Sequence, residues 1–533
     1  MEKRGTGPWS PAGLRFPKPR RPVEAGKRMS LDISALDVET AHGWVRGIVE
    51  DGVRTWRGIP YAAPPLGERR LRAPVPPEPW TGVRDASEFG AIPPQSRGLA
   101  LTGSRRRPLM SEDCLTVNVS APLDQDQTGL PVLVYLYGGA FSSGSSAVRT
   151  YRGANLVRTG EVVYVCLNYR IGALGFMDFT AFSTPQRPFE SNLGLRDQVA
   201  ALAWVQENIA AFGGDPDNVT IFGESAGGIS VTALMCIPSA APYFHKAFAQ
   251  SPAPAGAYYP DMHERWALDL LEILRVDESR AADALSRIPA AKLVNAIQKM
   301  TTKIGPVQQP GTLSVSPVID GEFLPRHPID TYLDGESAPK PLVLGTMAQE
   351  GALFAKLDNI LPSTPARLER MFAGTDPSAL ERVTAAYPGY PSRDQSVEIS
   401  GDLVFWYPSQ MVAEGHSRVA PTWIYRYDYA TRLMNLLGFG ATHAFDVPVI
   451  FGETNERTMR ALSLLGGMDE LRELSARFQG SLLSLAHRHL PGEDWPRYEE
   501  ENRHTRVFDR QDRIESDPFP ERRRAWEGYR GYI

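Results

Sequence analysis

The chain is 533 residues long, 42% hydrophobic and 22% charged, enough apolar material for a sizeable buried core. Its formal charge of −5 is small for this length and argues against a nucleic-acid binder driven by phosphate neutralisation. Three cysteines, Cys114, Cys166 and Cys236, give no disulfide framework, which points to a reducing, cytoplasmic compartment.

Residues 1–30 carry eight Lys or Arg against two Glu and are rich in Pro and Gly. With no apolar h-region they read as a disordered basic tail rather than a secretory signal, with Met29 as an alternative start. That leaves 31–533 as a single large domain. From about residue 36 the text is strand-like, VETAHGWVRGIV and then VRTWRGIPYA, broken by glycines at hairpin-like spacing. PPLGERRLRAPVPPEPW is a proline-rich surface loop. The stretch 92–110 is an irregular loop holding Arg97 and Arg105–Arg107. LPVLVYLY (130–137) and EVVYVCLNY (161–169) are apolar on both faces and read as buried central strands. Cys166 lies in the second of these and Cys236 follows ISVTALM, so both read as small buried hydrophobes. No CxxC or Cys/His cluster suggests a metal, and no apolar run approaches the roughly 18–20 residues needed to span a bilayer.

In 194–212, Leu195, Val199, Leu202, Val205, Ile209 and Phe212 recur at spacings of three and four, predicting an amphipathic helix stopped by GGDPDN. VTIF (219–222) then predicts a short strand and 226–236 a short helix ended before Pro238. KPLVLG (340–345) and TWIYRYDY (422–429) predict further strands, while 262–300 and 364–387 read as helical insertions forming a cap. Strands alternating with helices imply an α/β fold with a largely parallel sheet.

The tetrapeptide GESA occurs twice, at Ser225 in NVTIFGESAGG and at Ser337 in YLDGESAPKP. Ser225 lies between a predicted strand and a predicted helix in the pattern G-x-S-x-G, a tight turn that projects the serine oxygen above a sheet edge. Ser337 has Pro339 in place of the second glycine, and no strand runs into it. It reads as a turn serine. Acyl transfer also needs donors for a developing oxyanion, and Tyr137-Gly138-Gly139-Ala140-Phe141 follows a buried strand where glycine lets N–H groups approach a substrate. Of nine histidines, His443 in the glycine-rich GFGATHAFDVPVIFGE is the best base. His487 and His489 sit in a helical stretch and His504 in a charged tail. The acid reads as Glu350, directly after a predicted strand, but spacing leaves Asp402 and Asp446 open.

Taken together, WRGIPYAAPPLGERRL, SEDCLTVNV, YGGAF, NYRIGALGF, NLGLRDQVAALAWVQENIAAFGGDPDNVTIFGESAGG, PVIDGEFLP, AQEG and THAFDVPVIFG resemble the type-B carboxylesterases. These belong with the para-nitrobenzyl esterases and cholinesterases, and the likeness runs from about residue 36 to the end. It implies an α/β-hydrolase fold, a mostly parallel twisted sheet flanked by helices, with helical insertions over the site. It implies Ser225 as nucleophile, His443 as general base and Glu350 as the residue orienting the imidazole, acting on a small-molecule ester with no metal or organic cofactor. The oxyanion hole would come from the N–H groups of Gly139, Ala140 and Ala226. Glu224 and Ser251 resemble accessory polar residues, although Pro252 follows Ser251 where the family commonly has glycine. Arg70 with Glu112, and Arg170 with Asp197, resemble structural ion pairs. Cys114 matches a cysteine that secreted relatives pair with one upstream, and no cysteine precedes it here. The alternatives are the same machinery acting on carbamates or amides, or a non-catalytic binding protein on this fold. Tyr258, Tyr259, Phe354 and Leu436 are expected pocket liners.

Overall fold

Apolar runs too short for helices pair instead as strands, and the computed structural model, which describes residues 36–96, 108–304, 310–357 and 360–531, orders them into two sheets. The basic tail 1–30, Arg97 and Arg105–Arg107 lie outside the described residues. In chain order the strands are β1 (Asp37–Thr40), β2 (Gly43–Arg46), β3 (Ile48–Glu50), β4 (Val53–Pro60), β5 (Val83–Asp85), β6 (Thr116–Ala121) and β7 (Leu130–Leu136). There follow β8 (Val163–Leu167), β9 (Gly214–Glu224), β10 (Lys246–Gln250), β11 (Leu342–Met347), β12 (Thr422–Tyr427), β13 (His504–Phe508) and β14 (Arg513–Ser516).

The main sheet has eleven strands in the order β14-β13-β12-β11-β10-β9-β7-β8-β6-β4-β3, and β1, β2 and β5 form a small second sheet. From β13 to β8 every neighbour is parallel, and antiparallel pairs close both flanks. The strand order reverses at β7, β8 and β9, so chain segments diverge from the carboxyl ends of the central strands and leave a crevice there. Central strands covered on both faces must be apolar throughout, and β8, β11 and β12 are buried at every position.

The helix expected over 194–212 runs over Leu193–Asn208 and tightens into a 3-10 turn at Ile209–Phe212. The segment 262–300 holds helices at Pro260–Leu274, Ala281–Arg287 and Ala290–Lys299, and 364–387 holds Pro365–Thr375 and Ala379–Ala385. Strands β5, β6, β10, β13 and β14 were not visible in the sequence. His504 is not in a tail but begins β13, paired in parallel with β12. Its run HTRVF is too polar to read as a strand alone, and the sheet neighbour supplies what the pattern lacks, burying Val507 and Phe508.

Ser337 precedes β11, so it lies at the amino ends of the parallel strands, opposite the crevice. Its hydroxyl lies 2.8 Å from His416 Nδ1, and His416 Nε2 lies 2.8 Å from the Lys340 carbonyl oxygen. That pair ties down a turn.

Arg70 Nε lies 2.8 Å from Glu112. Arg170 and Asp197 form a forked pair, with Nε to Oδ2 at 2.8 Å and Nη2 to Oδ1 at 2.7 Å. The Arg170 backbone N–H also donates to Asp197 Oδ2 at 3.0 Å, pinning the segment after β8 onto helix 193–208. Breaking a buried pair strands a charge away from water. Asp197→Asn should therefore lower unfolding free energy by about 3–5 kcal/mol in a denaturant titration. Asp37→Asn, which removes the partner of the more exposed Arg46, should leave the midpoint nearly unmoved.

Candidate active site

Strand β9 ends at Glu224 and a helix starts at Ala226, so the single residue Ser225 makes the reversal, with φ 57° and ψ −122°. A side chain with a Cβ adopts that conformation only when its surroundings impose it. Here the flanking glycines do so. A Cβ on Gly223 would meet the Leu136 carbonyl oxygen at 2.6 Å, and one on Gly227 would overlap the same oxygen. The helix thus lies directly on the end of β7, and the serine is pushed out at the crevice. Its N–H donates to the Gln250 carbonyl oxygen at 3.0 Å.

The loop after β7 lies on this turn. A Cβ on Gly138 would stand 2.9 Å from Glu224 Oε2 and 3.0 Å from Ser225 Cβ. Gly139, Ala140 and Phe141 follow with φ of 121°, 51° and 53°, a run that two non-glycine residues hold under constraint. That constraint is visible: Phe141 stacks on Phe176 at 4.0 Å, and Tyr137 on Tyr169 at 4.4 Å with each hydroxyl donating to the other's carbonyl. Among the described residues the N–H groups of Gly139 and Ala140 meet no protein acceptor. Ala226 opens its helix, so its N–H has no intrahelical partner.

His443 comes from the loop after β12. Gln349, beside Glu350, pairs with Thr442, beside His443, and so holds the two loops together. His443 Nδ1 lies 2.6 Å from Glu350 Oε2, while Glu350 Oε1 accepts the Met347 N–H at 2.8 Å. In the neutral ring the carboxylate fixes the tautomer: Nδ1–H donates to it and Nε2 carries the lone pair. Nε2 lies 3.2 Å from Glu224 Oε1 without forming a hydrogen bond. Phe354 and Phe405 lie against the ring at 4.9 and 4.6 Å.

Charge in this buried cluster is coupled. Burial pushes the Glu224 carboxyl well above the usual carboxylate range. Burial pulls His443 down, but Glu224, Glu350 and Asp446 together outweigh it and the imidazole is raised. Of the three acids that spacing left open, only Glu350 contacts the imidazole. Asp446 accepts from Gln250 Nε2 at 2.8 Å and the Tyr425 hydroxyl at 3.3 Å, and burial lifts it to about 6. Asp402 is engaged by Tyr387 at 2.7 Å and by Arg522. Ser251 is fully buried at φ 42°, with no partner for its hydroxyl. His487 lies 2.7 Å from the Gly160 carbonyl oxygen, remote from this turn in the chain.

A cavity of about 80 Å³ is lined by Ala253, Tyr258, Leu313, Met371, Leu403 and Tyr529. Tyr258 takes the expected lining place and Phe354 packs on the imidazole, but Tyr259 and Leu436 are exposed at the surface. Sequence reasoning missed Phe405 and Tyr529. Phe405 sits in a π-helical turn, Asp402–Trp406, which no spacing in DLVFW announces.

The profile of the Carboxylesterase family matches residues 34–526. The chain belongs to the carboxylesterase family. It is 38% identical over 492 residues to the para-nitrobenzyl esterase of Bacillus subtilis (strain 168), covering 91% of this chain and 97% of that protein. It is 33% identical over 434 residues to the phenmedipham hydrolase of Pseudarthrobacter oxydans, covering 79% and 83%. A solved PNB esterase structure superposes with a TM-score of 0.83 at 36% identity, over 92% of this chain and 99% of that one. A carboxylesterase of Geobacillus stearothermophilus gives 0.80 at 33% identity, over 92% and 100%. The fold of this carboxylesterase-family chain is the α/β-hydrolase fold, as the sequence resemblance implied.

Because Gly227 has no room for a methyl, Gly227→Ala should destabilise the chain by about 1–3 kcal/mol or more. Gly374, in helix Pro365–Thr375, has open space around it. Gly374→Ala should be neutral or stabilising by about 0.4–1 kcal/mol. Thermal unfolding of the two variants separates close packing from general intolerance of substitution.

Proposed function

We propose that the chain is a serine carboxylesterase that hydrolyses small-molecule carboxylic esters through an acyl-enzyme. The observation that carries this reading is His443, held by Glu350 on Nδ1 with Nε2 3.2 Å from Glu224, the residue that adjoins Ser225 in the same turn. Among the described residues neither Nε2 nor the Ser225 hydroxyl is engaged in a hydrogen bond, which leaves both free for a proton transfer.

In this proposal His443 Nε2 takes the Ser225 proton as the serine oxygen attacks the ester carbonyl. The resulting oxyanion lies on the N–H groups of Gly139, Ala140 and Ala226, which need no reorganisation because constrained backbone holds them in place. The imidazolium gives its proton to the departing alcohol. Water, deprotonated by the same imidazole, then releases the acid and restores Ser225. Glu350 orients the ring, and Glu224 adds negative charge where the imidazolium forms. The cavity lined by Tyr258, Met371 and Leu403 would take part of the acyl or alcohol group by apolar contact. We place the enzyme in the cytoplasm. Three unpaired, buried cysteines support this, and among the described residues no helix is long and apolar enough to cross a membrane.

Hydrolysis of a short-chain para-nitrophenyl ester tests the reading. Ser225→Ala should lose about 10⁴–10⁶ in rate together with any pre-steady-state burst. Equal activity in the variant would refute the nucleophile. Glu224 raises the His443 pKa, and the base works only when deprotonated, so kcat/KM should climb with pH through that pKa. Glu224→Gln removes one of the raising charges and should move the acid limb of the kcat/KM profile to lower pH. A limb that stays in place would show that Glu224 does not act on the imidazole.

A further inference from the structure

Asp402, one of the acids that spacing left open, stands at a junction in the fold. Helix Arg393–Gly401 runs directly into helix Tyr407–Ser417, and the π-helical turn Asp402–Trp406 interrupts them in the middle. Such a turn holds one residue more than an α-helical turn, and it recurs at functional sites. Here it carries Phe405, whose ring lies 4.6 Å from the His443 ring. Just before the turn, the same helix presses on the partner of that imidazole. A Cβ on Gly401 would stand 2.8 Å from the Gly351 nitrogen and 3.2 Å from Glu350 Cβ, and one on Gly351 would overlap the Val397 carbonyl oxygen. One stretch of helix thus touches both members of the Glu350–His443 pair.

A helix near the end of the chain, Pro520–Trp526, holds this junction from outside. Arg522 Nη1 lies 2.6 Å from Glu398 Oε1 and 3.4 Å from Asp402 Oδ2, so one guanidinium serves two carboxylates a turn apart. The Tyr387 hydroxyl donates to Asp402 Oδ2 at 2.7 Å and accepts from Trp526 Nε1 at 2.8 Å. Arg522 also lies over the Tyr387 ring at 4.7 Å. Without the cation, Glu398 and Asp402 would oppose each other as like charges at the start of the π turn. With it, the first residue of the turn is fixed between two partners.

We infer that Arg522 is a positioning residue for the Glu350–His443 pair, acting through Asp402 and the π turn. Its effect on turnover rests on the esterase reading, and its effect on the pair does not. By holding Asp402, Arg522 keeps Gly401 against Glu350 and Phe405 against the imidazole. The 2.6 Å contact between His443 Nδ1 and Glu350 Oε2 then keeps its length and direction. Catalysis is sensitive to such placement, and a remote change that misplaces a group by about 1 Å can cost on the order of 10²-fold. Tyr529, farther along the same segment, lines the cavity but has its own anchors, Thr375 at 3.0 Å and Phe372 at 5.5 Å. Substrate binding is therefore separable from what Arg522 does.

Two arginines on one helix make the test. Arg523 pairs with Asp517 at 2.8 Å rather than with the π turn, so Arg523→Gln controls for general loosening of the helix. With a short-chain para-nitrophenyl ester, Arg522→Gln should lower kcat roughly 10–100-fold and leave KM within about twofold. Arg522→Lys, which restores the charge, should recover most of that loss. Proton NMR of the resting protein should show the hydrogen-bonded His443 Nδ1–H far downfield, and Arg522→Gln should shift that resonance upfield or broaden it away. Arg523→Gln should change neither readout, whatever it does to the unfolding midpoint. If Arg522→Gln does not fold, the near-isosteric Asp402→Asn is read in the same way. The inference is overturned if either the resonance or kcat stays at its wild-type value in Arg522→Gln, or if Arg523→Gln alters both as much. It is also overturned if Arg522→Lys restores the unfolding midpoint without kcat. A wild type inactive on every ester would sink the esterase reading alone, because the resonance still decides whether Arg522 sets the pair.

Discussion

The contact of Gly223 and Gly227 with the Leu136 carbonyl oxygen is the constraint on which the rest of the site depends. It lets the helix after Ser225 lie on the end of β7. One residue then has to carry the whole reversal from strand to helix, at a positive φ that serine does not choose freely. The same approach brings the Gly138–Phe141 loop against the serine turn, because that loop continues directly from Leu136. One close packing therefore brings the Gly138–Phe141 loop and the start of the helix against the serine. The neighbours pay for the strain: stacked Tyr137 and Tyr169, stacked Phe141 and Phe176, and a main-chain bond from Ser225 to Gln250.

Electrostatics build the other half of the corner. His443 is almost fully buried, which alone would hold it neutral, yet three carboxyl groups share its surroundings. Glu350 contacts Nδ1 and is itself anchored by the Met347 N–H, so the imidazole has one tautomer and one orientation. Glu224 faces Nε2, and while burial raises its carboxyl, a charged His443 beside it favours the carboxylate. Asp446 stands back, tied to Gln250 and Tyr425. Gln250 thereby links Asp446 to the serine turn, since its carbonyl receives the Ser225 N–H. The arrangement keeps negative charge close to an imidazole that must carry a proton for part of each proposed cycle.

The outer wall follows a different logic. Helix Pro365–Thr375 and the π-helical turn at Asp402–Trp406 supply Met371, Leu403 and Val404 to the cavity wall. Phe405, in the same turn as the cavity-lining Leu403, lies against the imidazole at 4.6 Å.

What the sequence determined by itself is what short-range pattern can carry. Apolar runs announced β7 and β8, a three- and four-residue period announced helix 193–208, and glycines on both sides of Ser225 announced its turn. Ser337 was separable from Ser225 for the same local reason. Resemblance then carried the reading across the chain and named Glu350 and His443, where spacing had left Asp402 and Asp446 open. Only the tertiary structure decided which carboxylate meets the imidazole, because Glu350 and His443 belong to separate loops joined by the Gln349–Thr442 bridge. Only tertiary structure could turn HTRVF into β13, lift Leu436 out of the pocket and put Phe405 against His443. The physical reason is common to all of these. Local pattern records what a residue prefers, whereas a site is made by partners distant in sequence, and their approach is set by the packing of the whole sheet and its helices.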